Sequence, residues 1–174
     1  MDTIETYREQ LKLGRAAFEA THPHPFLMMR KSGEELRQVM PRLATMWAPM
    51  APMTSQPPPP TTNEPSDLLI FEVRPRPGSF FPKLISIGRG EQCDVSIPDG
   101  RISRLHVSIE HVPPTKEYWL FDADSRNGTK LNGRNVAKGE RVKLAFGDTI
   151  KLGSLWLEFV SAGMIFARLQ PDGR

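Results

Sequence analysis

Between residues 68 and 160 the chain repeatedly alternates apolar and polar side chains in segments of four to seven residues. In one of them, Val107 and Ile109 would face one side of a sheet while Ser108 and Glu110 face the other. Gly-, Pro-, Asn- and Asp-rich turns separate the segments. The pattern predicts strands at residues 68–74, 83–88, 94–97, 106–110, 118–122, 141–146, 149–153 and 155–160. Many short strands without helices between them predict a β-sandwich or a barrel.

A proline-rich segment precedes this region. Residues 49–65 contain 7 of the 17 prolines and no alternating pattern. Such a segment is typical of an extended, semi-rigid linker, and a proline-rich ligand for a partner groove is the alternative. We therefore predict a helical N-terminal region over residues 1–48, a linker over 49–66, a β domain over 67–162 and a C-terminal tail over 163–174.

Helical spacing marks the N-terminal region. Ile4, Tyr7, Leu11 and Phe18 fall on one helical face. A capping box of Ser32 and Glu35 predicts a second helix, which Pro41 should kink or end. Both helices are too short to be stable alone. Six methionines in this half suit an adaptable contact surface, and a small helical layer or a disordered tail is the alternative. They are Met28, Met29, Met40, Met46, Met50 and Met53.

Composition excludes several classes of protein. No apolar run approaches the ~20 residues of a membrane helix, and the N-terminus lacks the features of a signal peptide, so we expect a cytoplasmic protein that does not bind membranes. The single cysteine, Cys93, cannot form an internal disulfide. His22 and His24 have no nearby partner ligands, so we predict neither a metal nor a cofactor.

Basic and hydrogen-bonding residues concentrate in the loops between the predicted strands. Loops distant in sequence share one end of a sandwich, and guanidinium groups match phosphate oxygens. The sequence therefore predicts an anion site built from three loops. Its candidate residues are Arg89, Arg101, Ser103, Arg104, Arg126 and Asn127.

Five motifs in order make the chain resemble the forkhead-associated (FHA) family over roughly residues 68–160. They are Gly88-Arg89, the Ser-Arg-x-His of residues 103–106, the Ser-x-Asn-Gly-Thr of residues 125–129, Asn132-Gly133 and the Leu-x-Phe-Gly-Asp-x-Ile-x-Leu-Gly of residues 144–153. The resemblance implies an antiparallel β-sandwich of two sheets whose loops at one end bind phosphothreonine peptides.

The resemblance also implies roles for individual residues. Arg89 would grip the phosphate, Ser103 would donate its hydroxyl to a phosphate oxygen, and Arg104 would add a further donor. Asn127 would hold the peptide backbone, and Arg126 would reach the phosphate or the residues that follow it.

Other residues would shape the site. Arg101 would read an acidic ligand side chain, and Gly88, His106 and Gly128 would be structural. Arg101 and Arg126 could equally be solvated surface charges. Asn127-Gly128 and Asn132-Gly133 also fit plain hairpin turns, which is our interpretation of the second pair.

The resemblance favours a binding module over an enzyme. We expect a signalling adaptor in Ser/Thr kinase pathways whose partner is a phosphothreonine-containing protein, a Ser/Thr kinase or its substrate. A scaffold that uses the N-terminal helices beside a silent FHA-like domain is the alternative. Ser103, His106 and Asp122 hold the atoms of a hydrolase triad, but no nucleophile elbow or oxyanion site accompanies them. The net charge is only +3 and no aromatic platform is evident, which argues against nucleic acid.

Overall fold

The computed structural model describes residues 4–30, 68–79 and 81–169. Three helices are α1 (Ile4–Leu11), α2 (Arg15–Thr21) and α3 (Ala162–Leu169). The strands are β1 (Phe26–Arg30), β2 (Leu68–Glu72), β3 (Leu84–Gly88), β4 (Val95–Ser96), β5 (Val107–Val112), β6 (Glu117–Asp122), β7 (Thr129–Leu131), β8 (Arg134–Val136), β9 (Arg141–Leu144), β10 (Thr149–Leu152) and β11 (Leu155–Val160).

The strands form two sheets, which confirms the predicted mainly-β sandwich. One sheet has the order β2-β1-β11-β10-β7-β8 and the other the order β4-β3-β5-β6-β9. Paired strands are antiparallel except β3 and the two-residue β4. The main core lies between the sheets, where alternate residues such as Ile87, Ile109, Leu120 and Phe159 are fully buried. This two-sided packing holds the strand ends rigid, and the site loops leave from those ends.

The β7–β8 hairpin turns at Asn132-Gly133, as we interpreted that pair. Asn132 has a φ of 50° and Gly133 a φ of 84°, and two successive positive φ values define the turn type that Asn-Gly favours. The sequence patterns had not identified β7 or β8 as strands, because each has only three residues.

The N-terminal region differs from the prediction, because it contributes a strand to the sandwich. β1 lies between β2 and β11 and pairs antiparallel with both. Leu27 and Met29 point into the core between the sheets, while Phe26 and Met28 pack under the helices. The predicted boundary at residue 67 therefore does not separate the β domain from what precedes it. Met28 and Met29 are buried, so they are not a contact surface.

The helices cover the outer face of the six-stranded sheet. Tyr7, Leu11 and Phe18 are buried there, so α1 and α2 bear out the predicted apolar face. The segment predicted as a C-terminal tail forms most of α3 instead, because Ile165 and Phe166 bury their side chains in the same cluster. The second predicted helix, after Ser32, and the proline-rich linker lie outside the described residues. No helix of the described part is long and apolar enough to cross a membrane.

Candidate anion-binding site

Three loops meet at one end of the sandwich and enclose a cleft of about 710 Å³. The loops follow β3, β4 and β6, so the strand ends bring together segments about 35 residues apart in sequence. The residues that line the cleft are Arg89, Gln92, Gly100, Ile102, Ser103, Arg104, Leu105, Asp124, Arg126 and Asn127. Five of the six candidate residues therefore share one cleft.

Three arginines give this cleft its charge. Arg89, Arg104 and Arg126 are exposed, and among the described residues no carboxylate forms an ion pair with any of them. The one acidic residue of the lining, Asp124, pairs with Lys138. Three guanidinium groups that retain all their donors are chemically suited to an anion with several oxygen acceptors.

Backbone hydrogen bonds fix the loops that carry Arg89 and Arg104. The N–H of Arg89 donates to the carbonyl oxygen of Ser103 at 3.0 Å, and the N–H of Gly90 donates to that of Arg104 at 2.9 Å. The buried Cys93 thiol donates to the same Arg104 oxygen at 3.0 Å, and burial raises the pKa of this thiol. Cys93 therefore helps to hold the loop of Arg104 in place.

Gly88 permits this close approach of the two loops. A Cβ atom at position 88 would lie 2.2 Å from the carbonyl oxygen of Arg104. Real Cβ atoms essentially never come so close to backbone, so any side chain at this position would push the loops apart.

Ser103 is held with its hydroxyl proton free. Its Oγ accepts the backbone N–H of Arg126 at 2.9 Å, so the O–H can donate to a bound anion. Its own backbone N–H donates to Nδ1 of His106 at 3.0 Å. Ser103 thus fixes the position of Arg126 in the neighbouring loop.

A buried layer lies beneath the β6–β7 loop. The Asp122 carboxylate accepts the backbone N–H of Ser125 at 2.8 Å and its hydroxyl at 2.7 Å, and it accepts the Thr129 hydroxyl at 2.5 Å. Burial alone would raise the pKa of Asp122, but these hydrogen bonds outweigh it and lower the pKa. The loop that carries Arg126 and Asn127 is therefore anchored to a buried charge.

Asn127 has a free acceptor. Its Nδ2 donates to the carbonyl oxygen of Arg101 at 2.8 Å, which leaves Oδ1 available for the backbone N–H of a ligand. Gly153 leaves room for the carbonyl oxygen that accepts this hydrogen bond. A Cβ there would lie 2.5 Å from the Arg101 oxygen, and Gly153 has a φ of +58°.

Arg101 is the candidate residue whose side chain does not line the cleft. Its guanidinium forms an ion pair with Asp99, with Nη2 and Oδ2 at 2.6 Å. Hydrogen bonding from Arg101 lowers the pKa of Asp99. Arg101 serves the site through its carbonyl oxygen, while its charge is already balanced.

The hydrolase triad is not assembled. Nδ1 of His106 accepts a backbone N–H and Nε2 faces the carbonyl oxygen of Gly128, so neither ring nitrogen contacts the Ser103 hydroxyl. The Asp122 carboxylate is occupied by Ser125 and Thr129. Among the described residues no group of three or more His, Cys, Asp or Glu side chains could hold a metal ion.

Sequence reasoning did not identify part of the site. It missed Gln92 and Leu105 in the lining and Asp99 as the partner of Arg101. It considered Asp122 only as a triad member. The signal for its actual role was present, because the side chain of an Asp in a turn commonly accepts a nearby backbone N–H.

Comparisons with known proteins match part of the chain. The family model of the FHA domain matches residues 85–153. The Caenorhabditis elegans protein Germ layers disorganized gldi-3 is 37% identical over 78 residues, which are 39% of this chain and 8% of that protein. The mouse protein Angiogenic factor with G patch and FHA domains 1 is 31% identical over 80 residues, 42% of this chain and 11% of that protein. The chain thus spans about a tenth of the length of these curated relatives.

Among solved structures, the N-terminal FHA domain of Saccharomyces cerevisiae Rad53p, in complex with a phosphothreonine peptide, is 29% identical to this chain. The alignment covers 49% of this chain and 73% of the yeast domain, with a TM-score of 0.42.

Proposed function

Because residues 85–153 form an FHA domain, we propose that the chain binds phosphothreonine in a partner protein and acts as an adaptor in Ser/Thr kinase signalling. The observation that carries the proposal is the cleft in which Arg89, Arg104 and Arg126 surround the hydroxyl of Ser103. A phosphorylated side chain carries about −1.5 to −2 charges and three acceptor oxygens at neutral pH. Its charge and its acceptors match the three guanidinium groups and the hydroxyl.

Each polar group of the cleft has a role in this proposal. Arg89 binds two phosphate oxygens through its planar guanidinium, and Ser103 donates its hydroxyl to a third. Arg104 and Arg126 balance the remaining charge. Asn127 accepts a backbone N–H of the peptide through Oδ1. The partner is a kinase or a kinase substrate, and the proposed compartment is the cytoplasm.

The proposed function is recognition without a catalytic step. The alternative is a scaffold that holds its partner with the N-terminal helices. It is disfavoured because Tyr7, Leu11 and Phe18 already bury their side chains between the helices and the six-stranded sheet. Among the residues of α1 and α2 whose burial is described, no large apolar side chain is left exposed for a partner.

Titration calorimetry on the full chain tests the proposal. A peptide that carries phosphothreonine should bind, and the same peptide without phosphate should not. Since a charged hydrogen bond contributes roughly 1.5–3 kcal/mol, Arg89→Ala should weaken binding at least tenfold. Arg89→Lys should recover only part of the loss, because an ammonium cannot bind two oxygens in a fork.

Arg74→Ala is the matched control. Arg74 is also exposed, but it pairs with Glu72 and does not line the cleft. Its loss should leave the affinity unchanged. Equal affinity for the phosphorylated and unphosphorylated peptides would overturn the proposed function.

A further inference from the structure

An apolar groove crosses the outer face of the five-stranded sheet. Two adjoining depressions of about 600 Å³ and 410 Å³ share Phe81, Leu84 and Ser108 in their linings, and Phe121 and Leu105 extend them at either side. We call this surface, defined by Phe81, Leu84, Leu105, Ser108 and Phe121, the lateral groove.

The sheet itself creates the groove. Ser108 lies between Val107 and Ile109, which both point into the core, so its side chain points outward. Across the sheet it faces Ser86 on β3 and Phe121 on β6. Two small serine side chains therefore lie beside larger ones, and the surface is depressed along this row.

The apolar walls of the lateral groove are open to solvent. Phe81 is 71% exposed, Leu105 43% and Leu84 39%. They make up three of the five large apolar side chains exposed in the described part of the chain. Apolar side chains that cluster in a concave surface mark a binding site more strongly than scattered ones.

The lateral groove is continuous with the anion-binding cleft. Gln92 and Leu105 line both the cleft and the nearer depression of the groove. Leu105 directly follows Arg104, so a chain that leaves the cleft over Leu105 enters the groove at once.

The span of the lateral groove suits a peptide. Leu84 pairs with Glu110, five residues beyond Leu105 along the chain that enters β5. At about 3.3 Å per residue, the groove extends roughly 17 Å from the cleft, which about five extended residues span. At the far end Glu110 is already paired with Arg141, with 2.9 Å between their charged atoms. Although Lys83, Arg76 and Asp94 also line the two depressions, the five residues that define the groove carry no charge and favour apolar side chains.

We propose that the lateral groove binds an apolar segment of about five residues that flanks the phosphothreonine in the same partner protein. The proposal rests on the proposed function, because the phosphate brings the partner to the cleft. It adds a second determinant, so that affinity depends on apolar side chains beyond the phosphorylated residue as well as on the phosphate.

The test uses peptide pools and the full chain. Each peptide carries phosphothreonine between alanines, then five positions drawn from Leu, Ile, Val and Phe on one side, with two terminal lysines for solubility. Matched pools draw the five positions from Ser, Thr, Gly and Asn, and both kinds of pool are made with the extension before and after the phosphothreonine. Fluorescence anisotropy should give an at least fivefold higher affinity for the apolar pool on one of the two sides.

Variants then assign this gain to the lateral groove. Phe81→Ser and Leu84→Ser should abolish the advantage of the apolar pool and leave the affinity for the polar pool unchanged. Leu13→Ser is the control, since Leu13 is 72% exposed in the turn between α1 and α2. It should keep the advantage.

Several outcomes would overturn the proposal. Equal affinities of apolar and polar pools on both sides would do so, and so would a gain that the two groove variants retain. Sedimentation that shows a dimer dissolved by Phe81→Ser would assign the groove to a second copy. A gain that appears only after residues 49–65 are replaced by Gly and Ser would assign it to the chain's own segment. Failure of the proposed function is distinct, because the polar pool would then bind no better than its unphosphorylated form.

Discussion

His106 accepts the backbone N–H of Ser103 through Nδ1 at 3.0 Å. Since Nδ1 is the acceptor, the ring proton lies on Nε2, which donates to the carbonyl oxygen of Gly128 at 3.2 Å. One fully buried, neutral imidazole thus joins the loop of Ser103 to the loop of Asn127. The spacing between the proposed phosphate donors and the proposed acceptor for the peptide backbone depends on this ring.

Replacement of His106 by alanine should therefore lower stability and affinity together. The variant leaves the N–H of Ser103 and the oxygen of Gly128 without partners, at a cost of roughly 1–3 kcal/mol. Urea denaturation and calorimetry measure the two effects. His111→Ala is the control, because His111 stacks on Tyr118 and does not line the cleft, so affinity should survive there. An unchanged urea midpoint with lost binding would make His106 a direct ligand contact instead.

The free energy of unfolding should rise with pH in the range just below 6.5, the ordinary pKa of histidine. Burial lowers the pKa of His106 below its ordinary value of 6.5, although the Gly128 hydrogen bond and Asp122 oppose the shift. In this range the unfolded chain binds the proton and the folded chain does not, so acid favours unfolding.

His111 adds to the same slope, because burial and then the nearby His24 lower its pKa as well. Urea titrations of His106→Asn and His111→Asn separate the two contributions. The slope should fall in each single variant and nearly vanish in the double variant. A slope that is unchanged in His106→Asn would mean that the folded chain protonates this ring freely.

The sequence predicted the residues that line the cleft better than the contacts that hold its loops in place. Arg89 and Ser103 follow from loop chemistry, because phosphate recognition requires those donor types, and Asn127 follows from the family motifs. Their roles in binding remain proposals. The pairing of Arg101 with Asp99 could not be predicted, since it depends on how the loop after β4 folds back on itself.

The missed strand β1 has a different cause. Phe26, Leu27, Met28 and Met29 are all apolar, and a short apolar run does not distinguish a strand from a helix by its period. Only pairing with β2 and β11 makes this segment a strand, and β11 lies about 130 residues away in the sequence. Long-range packing also explains α3, because Ile165 and Phe166 bury their side chains in a segment that the sequence predicted as a tail.

A fragment of residues 66–174 should not fold like the full chain. It lacks β1, which pairs β2 to the rest of the sheet, so β2 would lose its partner and the cluster around Ile165 and Phe166 would be exposed. We expect a lower midpoint or no cooperative transition in thermal melts followed by circular dichroism. A peptide of residues 1–30, added in excess, should restore part of the stability. A fragment that melts like the full chain would show that β1 contributes little.

Gly88→Ala should destabilise the chain and weaken phosphopeptide binding. The new methyl would lie 2.2 Å from the Arg104 oxygen, so the loops must separate. Overpacking of this kind typically costs about 1–3 kcal/mol. Gly100→Ala is the matched control, because Gly100 also lines the cleft but a Cβ there has nothing within 4 Å. Equal unfolding midpoints for the two variants would contradict the steric explanation.

Phosphothreonine should bind at least fourfold more tightly than phosphoserine in the same peptide. Both present the same charge and the same oxygens, so the arginines cannot distinguish them. The difference comes from the methyl group of threonine, which would lie near Asn127 and the buried Ile102 in the cleft. Burial of one methyl contributes roughly 0.8 kcal/mol, and the β-branch reduces the rotamer freedom lost on binding.

The ratio of the two affinities has a built-in control. Arg89→Ala should weaken both peptides by the same factor and leave their ratio unchanged, because in the proposed complex the guanidinium contacts only the phosphate. Calorimetry of both peptides at one pH and one salt concentration, with the native chain and this variant, measures all four affinities. Equal affinities of the native chain for the two peptides would mean that the cleft recognises charge alone.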